Sequence, residues 1–137
     1  MSLEKKKEER DNILFIILIV ALLAFFFSLG FLLHTQVPLA VVSSWSMEPT
    51  LHVGDLVVVM GQADYSPGDI VVYSNGPSLI VHRIVKKLGD GSFVTKGDAN
   101  MYADAIHPKL TQIKGKVVLV VPYFGSLKLM FEKMIGR

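Results

Sequence analysis

The chain has 137 residues and one dense apolar block, room for a single small domain plus an anchor rather than two folded units. It contains no cysteine, which excludes a disulfide framework, a thiolate metal site and a thiol nucleophile, and leaves packing as the stabilising force. A formal net charge of +2 is too mild to argue for nucleic acid, because Lys5, Lys6, Lys7 and Arg10 sit together at one end, where membrane topology explains them.

Residues 13–33 carry no charge, and Ser28 is their only polar side chain. As a helix at about 1.5 Å per residue they match a bilayer core of about 30 Å. The run is too long for the apolar region of a cleaved leader, and no small-x-small site directly follows it. The basic cluster ahead of it predicts a single-pass protein of the cell membrane, N-terminus cytoplasmic and everything from His34 onward outside. Four segments follow from this reading: a basic stretch 1–12, a transmembrane helix 13–33, an extracytoplasmic β-rich domain 34–126, and a tail 127–137.

Beyond the anchor, Pro38 breaks the helix and Leu39 to Val42 read as a strand leading into Ser43. Residues 43–58 run Ser-Ser-Trp-Ser-Met-Glu-Pro-Thr-Leu-His-Val-Gly-Asp-Leu-Val-Val. Trp45 fits either a membrane-interface residue or a wall of a cleft. Val- and Ile-rich strands are predicted at 56–60, 70–73, 79–87, 92–96 and 113–121. Gly54-Asp55, Ser66-Pro67-Gly68-Asp69, Asn75-Gly76-Pro77 and Gly89-Asp90-Gly91 separate them as turns. The fold class is therefore mainly β, a compact and mostly antiparallel domain. In the tail, Leu127, Met130, Phe131 and Met134 stand at helical spacing, which predicts a short amphipathic helix on the membrane or on the sheet.

A serine works as a nucleophile only with a base within hydrogen-bond reach and, usually, a third group to orient that base. Four histidines are available. His34 sits at the membrane end, His52 lies six residues past Ser46, His82 lies in a predicted strand, and His107 precedes a proline. Strand alternation puts Ile80, His82 and Ile84 on one face. A histidine between two isoleucines needs a polar partner, because an unpaired buried polar group costs about 1 to 3 kcal/mol. That requirement alone is met by any structural histidine.

Ser44-Trp45-Ser46-Met47-Glu48-Pro49-Thr50, then Val81-His82-Arg83-Ile84-Val85, then Thr95-Lys96-Gly97-Asp98-Ala99-Asn100 follow one another in the order found in type I signal peptidases. Ser-Met-x-Pro by itself also resembles self-cleaving repressor proteases. With all three motifs the chain resembles the signal peptidase branch that has histidine where the common bacterial enzymes have lysine. Trp45 departs from the small residue usual between the two serines. The resemblance implies Ser46 as nucleophile, His82 as general base, and the Ser46 N–H and Ser44 hydroxyl as oxyanion donors. Asp104 is the expected orienting acid and Asp98 supports the loop that Gly97 turns, with Asp98 the alternative acid. A calcium loop starting at Asp98 is excluded, because Tyr102 and Ala103 stand where a ligand and a glycine belong and Lys109 where a glutamate is needed.

The resemblance further implies a membrane-anchored serine endopeptidase that cuts N-terminal signal peptides after small residues at the first and third positions before the bond. Signal peptides of preproteins and membrane lipid are its partners, with the protein export machinery left open. No metal or organic cofactor is implied. A silent β-rich binding module and a self-processing regulator are the competing readings.

Overall fold

The computed structural model describes residues 2–122 and 134–136, and the chain divides into two units, Met1–Leu32 and Leu33–Arg137. The first unit is one helix, α1 (Leu3–Leu32), whose large apolar side chains from Ile13 to Leu32 are exposed except Leu29, which is half-buried. It is long and apolar enough to cross a membrane. The helix begins ten residues before the apolar run, because Glu4 to Arg10 are mostly Glu, Lys and Arg, which lose little rotamer freedom in a helix. Inside the run, the hydroxyl of Ser28 is satisfied within the helix by donating to the Ala24 carbonyl at 2.7 Å. Beyond it, His34 takes a left-handed backbone conformation with φ of 52°.

The second unit is a six-stranded, wholly antiparallel sheet. Its strands are β1 (Leu39–Val41), β2 (Leu56–Met60), β3 (Ile70–Asn75), β4 (Ser78–Lys87), β5 (Phe93–Lys96) and β6 (Ile113–Val121), in the order β1-β2-β6-β3-β4-β5. The mainly β expectation holds. Strands β2 and β6 have the predicted limits, and the others differ by one or two residues at an end. The β3–β4 hairpin is tighter than the sequence suggested. Asn75 pairs with Ser78, leaving only Gly76 and Pro77 as the loop, and Gly76 at φ of 60° suits the first position of a two-residue hairpin turn. A short 3-10 turn, Leu110–Gln112, precedes β6 and was not foreseen.

Alternation along β3 divides the core in two. Val71 and Tyr73 pack with Tyr65, Ile84, Phe93 and Ile113, while Val72 packs with Val42, Met47, Leu51, Val57 and Val59. The second cluster is the one that anchors the serine segment, through Met47 and Leu51. The amphipathic helix expected at 127–135 falls almost wholly outside the described residues.

Candidate active site

Ser46 is held by the segment around it. Val42 is the hinge post: its N–H donates to the Asp55 carbonyl at 2.9 Å and its carbonyl accepts from Gly54 at 2.8 Å, closing the loop between them. Within that loop the Glu48 N–H reaches the Trp45 carbonyl, and the Thr50 and Leu51 N–H groups both reach the Met47 carbonyl. Met47 and Leu51 are each 1% exposed and tie this turn to the core, while Asp55, also buried, accepts the His52 N–H at 2.8 Å. The Gly54-Asp55 pair is thus placed as a structural turn. The result is a serine hydroxyl carried on a turn that Met47 and Leu51 fix by their burial.

His82 projects from β4 on the face of Ile84, with Ile80 on the same side. Its Nε2 lies 3.1 Å from Ser46 Oγ, and its Nδ1 lies 2.6 Å from Asp104 Oδ2. An ionised carboxylate can only accept, so Nδ1 carries the hydrogen and Nε2 of the neutral ring accepts from the Ser46 hydroxyl. The hydroxyl of Ser44 stands 3.0 Å from Ser46 Oγ. With the Ser46 hydrogen directed at the imidazole, Ser44 is the donor of that contact.

Asp104 Oδ2 takes two further donors. The Thr95 hydroxyl reaches it at 2.6 Å and the Tyr73 hydroxyl at 3.0 Å, while the Asp104 N–H donates to the Thr95 carbonyl at 2.8 Å. Burial pushes the Tyr73 phenol up to about 12, helped by the adjacent Asp104 charge, so the phenol stays a donor. The register explains the convergence: Thr95 pairs with Ile84 and Tyr73 with Ile80, so both side chains leave the sheet on the face of His82.

Asp98 goes elsewhere. Arg83, the neighbour of His82 and therefore on the opposite face, grips it with Nε at 2.9 Å and Nη2 at 2.7 Å, and Thr50 adds a bond at 2.6 Å. The Arg83 guanidinium holds the Asp98 carboxyl below the usual carboxylate range against the opposing effect of burial, and Thr50 lowers it further. The loop itself is braced by Lys96, whose ammonium donates to the Asn100 carbonyl at 2.5 Å, and by the Ala99 N–H, which reaches the Ser46 carbonyl at 2.9 Å. Gly97 fits there because a Cβ would stand 2.5 Å from that same Ser46 carbonyl oxygen.

A cleft of about 610 Å³ opens beside Ser46, lined by Ala40, Val42, Met47, Ile80, Val81 and His82. Trp45 is 71% exposed and is not among the residues that line it. The remaining histidines lie apart from this line: His52 sits 3.4 Å from Glu48 and near Asp55, and His34 and His107 occur at the end of α1 and in the loop before Pro108.

Residues 24–118 match the family model described as Peptidase S24-like. The chain belongs to the peptidase S24-like family. Within it, the chain is similar to the signal peptidase complex catalytic subunits SEC11 of Pyricularia oryzae, 37% identical over 111 residues, and of Chaetomium globosum, 37% identical over 113. The sec11 protein of Neurospora crassa is 35% identical over 111 residues. Each match covers 70% of this chain, which spans 64% of the length of these relatives. The resemblance to type I signal peptidases drawn from the three motifs is therefore carried by relatives as well as by residues.

In this peptidase S24-like chain the structure brings Ser46, Ser44, His82 and Asp104 together and keeps Asp98 on the far side of β4. Neither Tyr73 nor Thr95 was given a role from the sequence: Thr95 only opens the third motif, and a tyrosine in a Val-rich strand reads as an ordinary strand former. The pairing register with His82 is the signal that finds them.

Proposed function

We propose that the chain is a membrane-anchored serine endopeptidase that removes N-terminal signal peptides from exported preproteins. The observation that carries this reading is the unbroken line of hydrogen bonds from Ser46 through His82 to Asp104, set beside an open apolar cleft. As the Ser46 oxygen attacks the scissile carbonyl, its hydrogen passes to His82 Nε2, and the Nδ1–H bond to Asp104 stabilises the imidazolium that forms. The imidazolium then gives its proton to the leaving amine, and water repeats the sequence on the acyl-enzyme. The Ser46 N–H and the Ser44 hydroxyl are the donors for the oxyanion, each worth about 2.7 to 4 kcal/mol when fixed in advance. Asp98 serves the loop rather than the imidazole.

The cleft wall agrees with the substrate class. An extended peptide laid along strand edges gains main-chain hydrogen bonds whatever its sequence, and side chains enter the wall at alternate positions. Small residues at the first and third positions before the cut suit a wall of Ala40, Val42, Ile80 and Val81. Residues 13–33 cross the bilayer with residues 1–12 on the cytoplasmic side and the β domain of 34–126 on the other. Anchoring enzyme and preprotein in one membrane raises their effective concentration. The relatives are named as catalytic subunits of a complex, and the same likeness extends that role to this chain.

The test is to incubate the detergent-solubilised protein with a preprotein and map the products by mass spectrometry. A single cut after a small-x-small sequence, lost in Ser46→Ala, is the expected result. No cut, a cut placed elsewhere, or one that survives Ser46→Ala sinks the reading.

A further inference from the structure

We infer that Tyr73 and Thr95 are positioning residues for the proposed peptidase reaction, holding Asp104 Oδ2 in line with His82 Nδ1; this inference rests on the reading above. A carboxylate bound by an imidazole alone can turn about its last torsion and exchange its two oxygens, which breaks the alignment of the ring. Here the turn is blocked. Three donors from three different strands, His82 on β4, Tyr73 on β3 and Thr95 on β5, converge on the one oxygen Oδ2 at 2.6, 3.0 and 2.6 Å. Thr95 holds the same residue a second time through its backbone carbonyl, which accepts the Asp104 N–H at 2.8 Å.

Both hydroxyls sit in a setting that permits little movement. Thr95 is 0% exposed and Tyr73 is 1% exposed. Thr95 Oγ1 also lies 3.4 Å from the Tyr73 oxygen, but the 2.6 Å contact with the carboxylate is the one that takes its hydrogen. An immobile acceptor is what holds the imidazole in the tautomer whose Nε2 faces Ser46.

A purely structural role for these buried hydroxyls predicts lost stability with turnover intact. A positioning role predicts the reverse emphasis. Thr95→Val, nearly isosteric, is expected to lower kcat by about tenfold with KM changed by less than about twofold, Tyr73→Phe by about three- to tenfold, and Thr95→Ser to restore most of the loss. In an Asp104→Asn background, Thr95→Val should add no further loss, since the group it acts through is gone.

A readout independent of activity completes the test. In the full chain labelled with ¹⁵N-histidine, the low-field proton on His82 Nδ1 should move in Thr95→Val and in Tyr73→Phe and return close to its original position in Thr95→Ser. Unchanged kcat and an unmoved resonance in the folded variants would overturn the inference, as would equal losses in the wild-type and Asp104→Asn backgrounds. If the wild type cuts no preprotein while the resonance still moves, the grip on Asp104 stands and the peptidase reading is what fails.

Discussion

Two adjacent residues of β4, His82 and Arg83, leave the strand on opposite sides, and each meets an aspartate from the same downstream stretch. On the Arg83 side, Asp98 faces a guanidinium of permanent charge that engages both of its oxygens, and Thr50 ties it to the turn that follows Ser46. On the His82 side, one oxygen of Asp104 faces a ring whose charge can change and two neutral hydroxyls. In the proposed reaction the same residue type, six positions apart, is a fastener in the first setting and the partner of a proton carrier in the second. What separates the roles is whether the group opposite can titrate.

The largest effect should come from the titrating side. Asp104→Asn is expected to keep its fold and lose turnover on the order of 10⁴, the scale seen when the acid of a Ser-His-Asp enzyme is made neutral. Measuring turnover together with melting temperature checks it, and near wild-type turnover would break the contrast by returning the acid's role to Asp98. Asp98→Asn should show the opposite pattern. Losing hydrogen bonds to a charged partner costs about 1.5 to 3 kcal/mol, a fall of roughly 10 °C in melting temperature for a domain of this size, with turnover reduced far less than in Asp104→Asn.

Acid sharpens the same comparison. Because the folded Asp98 carboxyl is held below its ordinary value by Arg83, its stabilising contribution is fully present above the unfolded value of about 3.9 and is lost as pH falls through the lower folded value. The melting temperature of the wild type should therefore drop below about pH 4 more steeply than that of Asp98→Asn. Parallel curves would show that Asp98 adds nothing to acid sensitivity. The smallest expected effect is that of Thr50→Val, which removes one exposed neutral donor from Asp98 and should lower the melting temperature by less than about 4 °C.

How far the sequence carried the fold depends on what each element uses to form. Strands β2 and β6 were legible to the residue because both are rich in Val, with the Gly54-Asp55 turn just before β2. The start of α1 was not, because its first turns rest on the helix propensity of Glu, Lys and Arg rather than on hydropathy. The hairpin at Gly76 ran on because a two-residue loop lets pairing continue into residues that had read as turn. At the site, Ser46, His82 and Asp104 were named from motif resemblance, whereas nothing local announces that residues 36 and 22 positions apart will meet. The contacts of Tyr73 and Thr95 with Asp104 stayed hidden for the same reason, since they are defined by cross-strand register and not by neighbours in sequence.

The close approach at Gly97 has a mechanical consequence. Space above that residue is closed by the Ser46 carbonyl, a piece of main chain, as well as by the movable Asn100 amide. A side chain in the way could swing to another rotamer, but a carbonyl moves only if its whole peptide moves. The loop after β5 therefore acts as an end-stop for the main chain of the serine turn, and a single methyl at position 97 would act as a shim that displaces the Ser46 peptide without touching either ring or carboxylate.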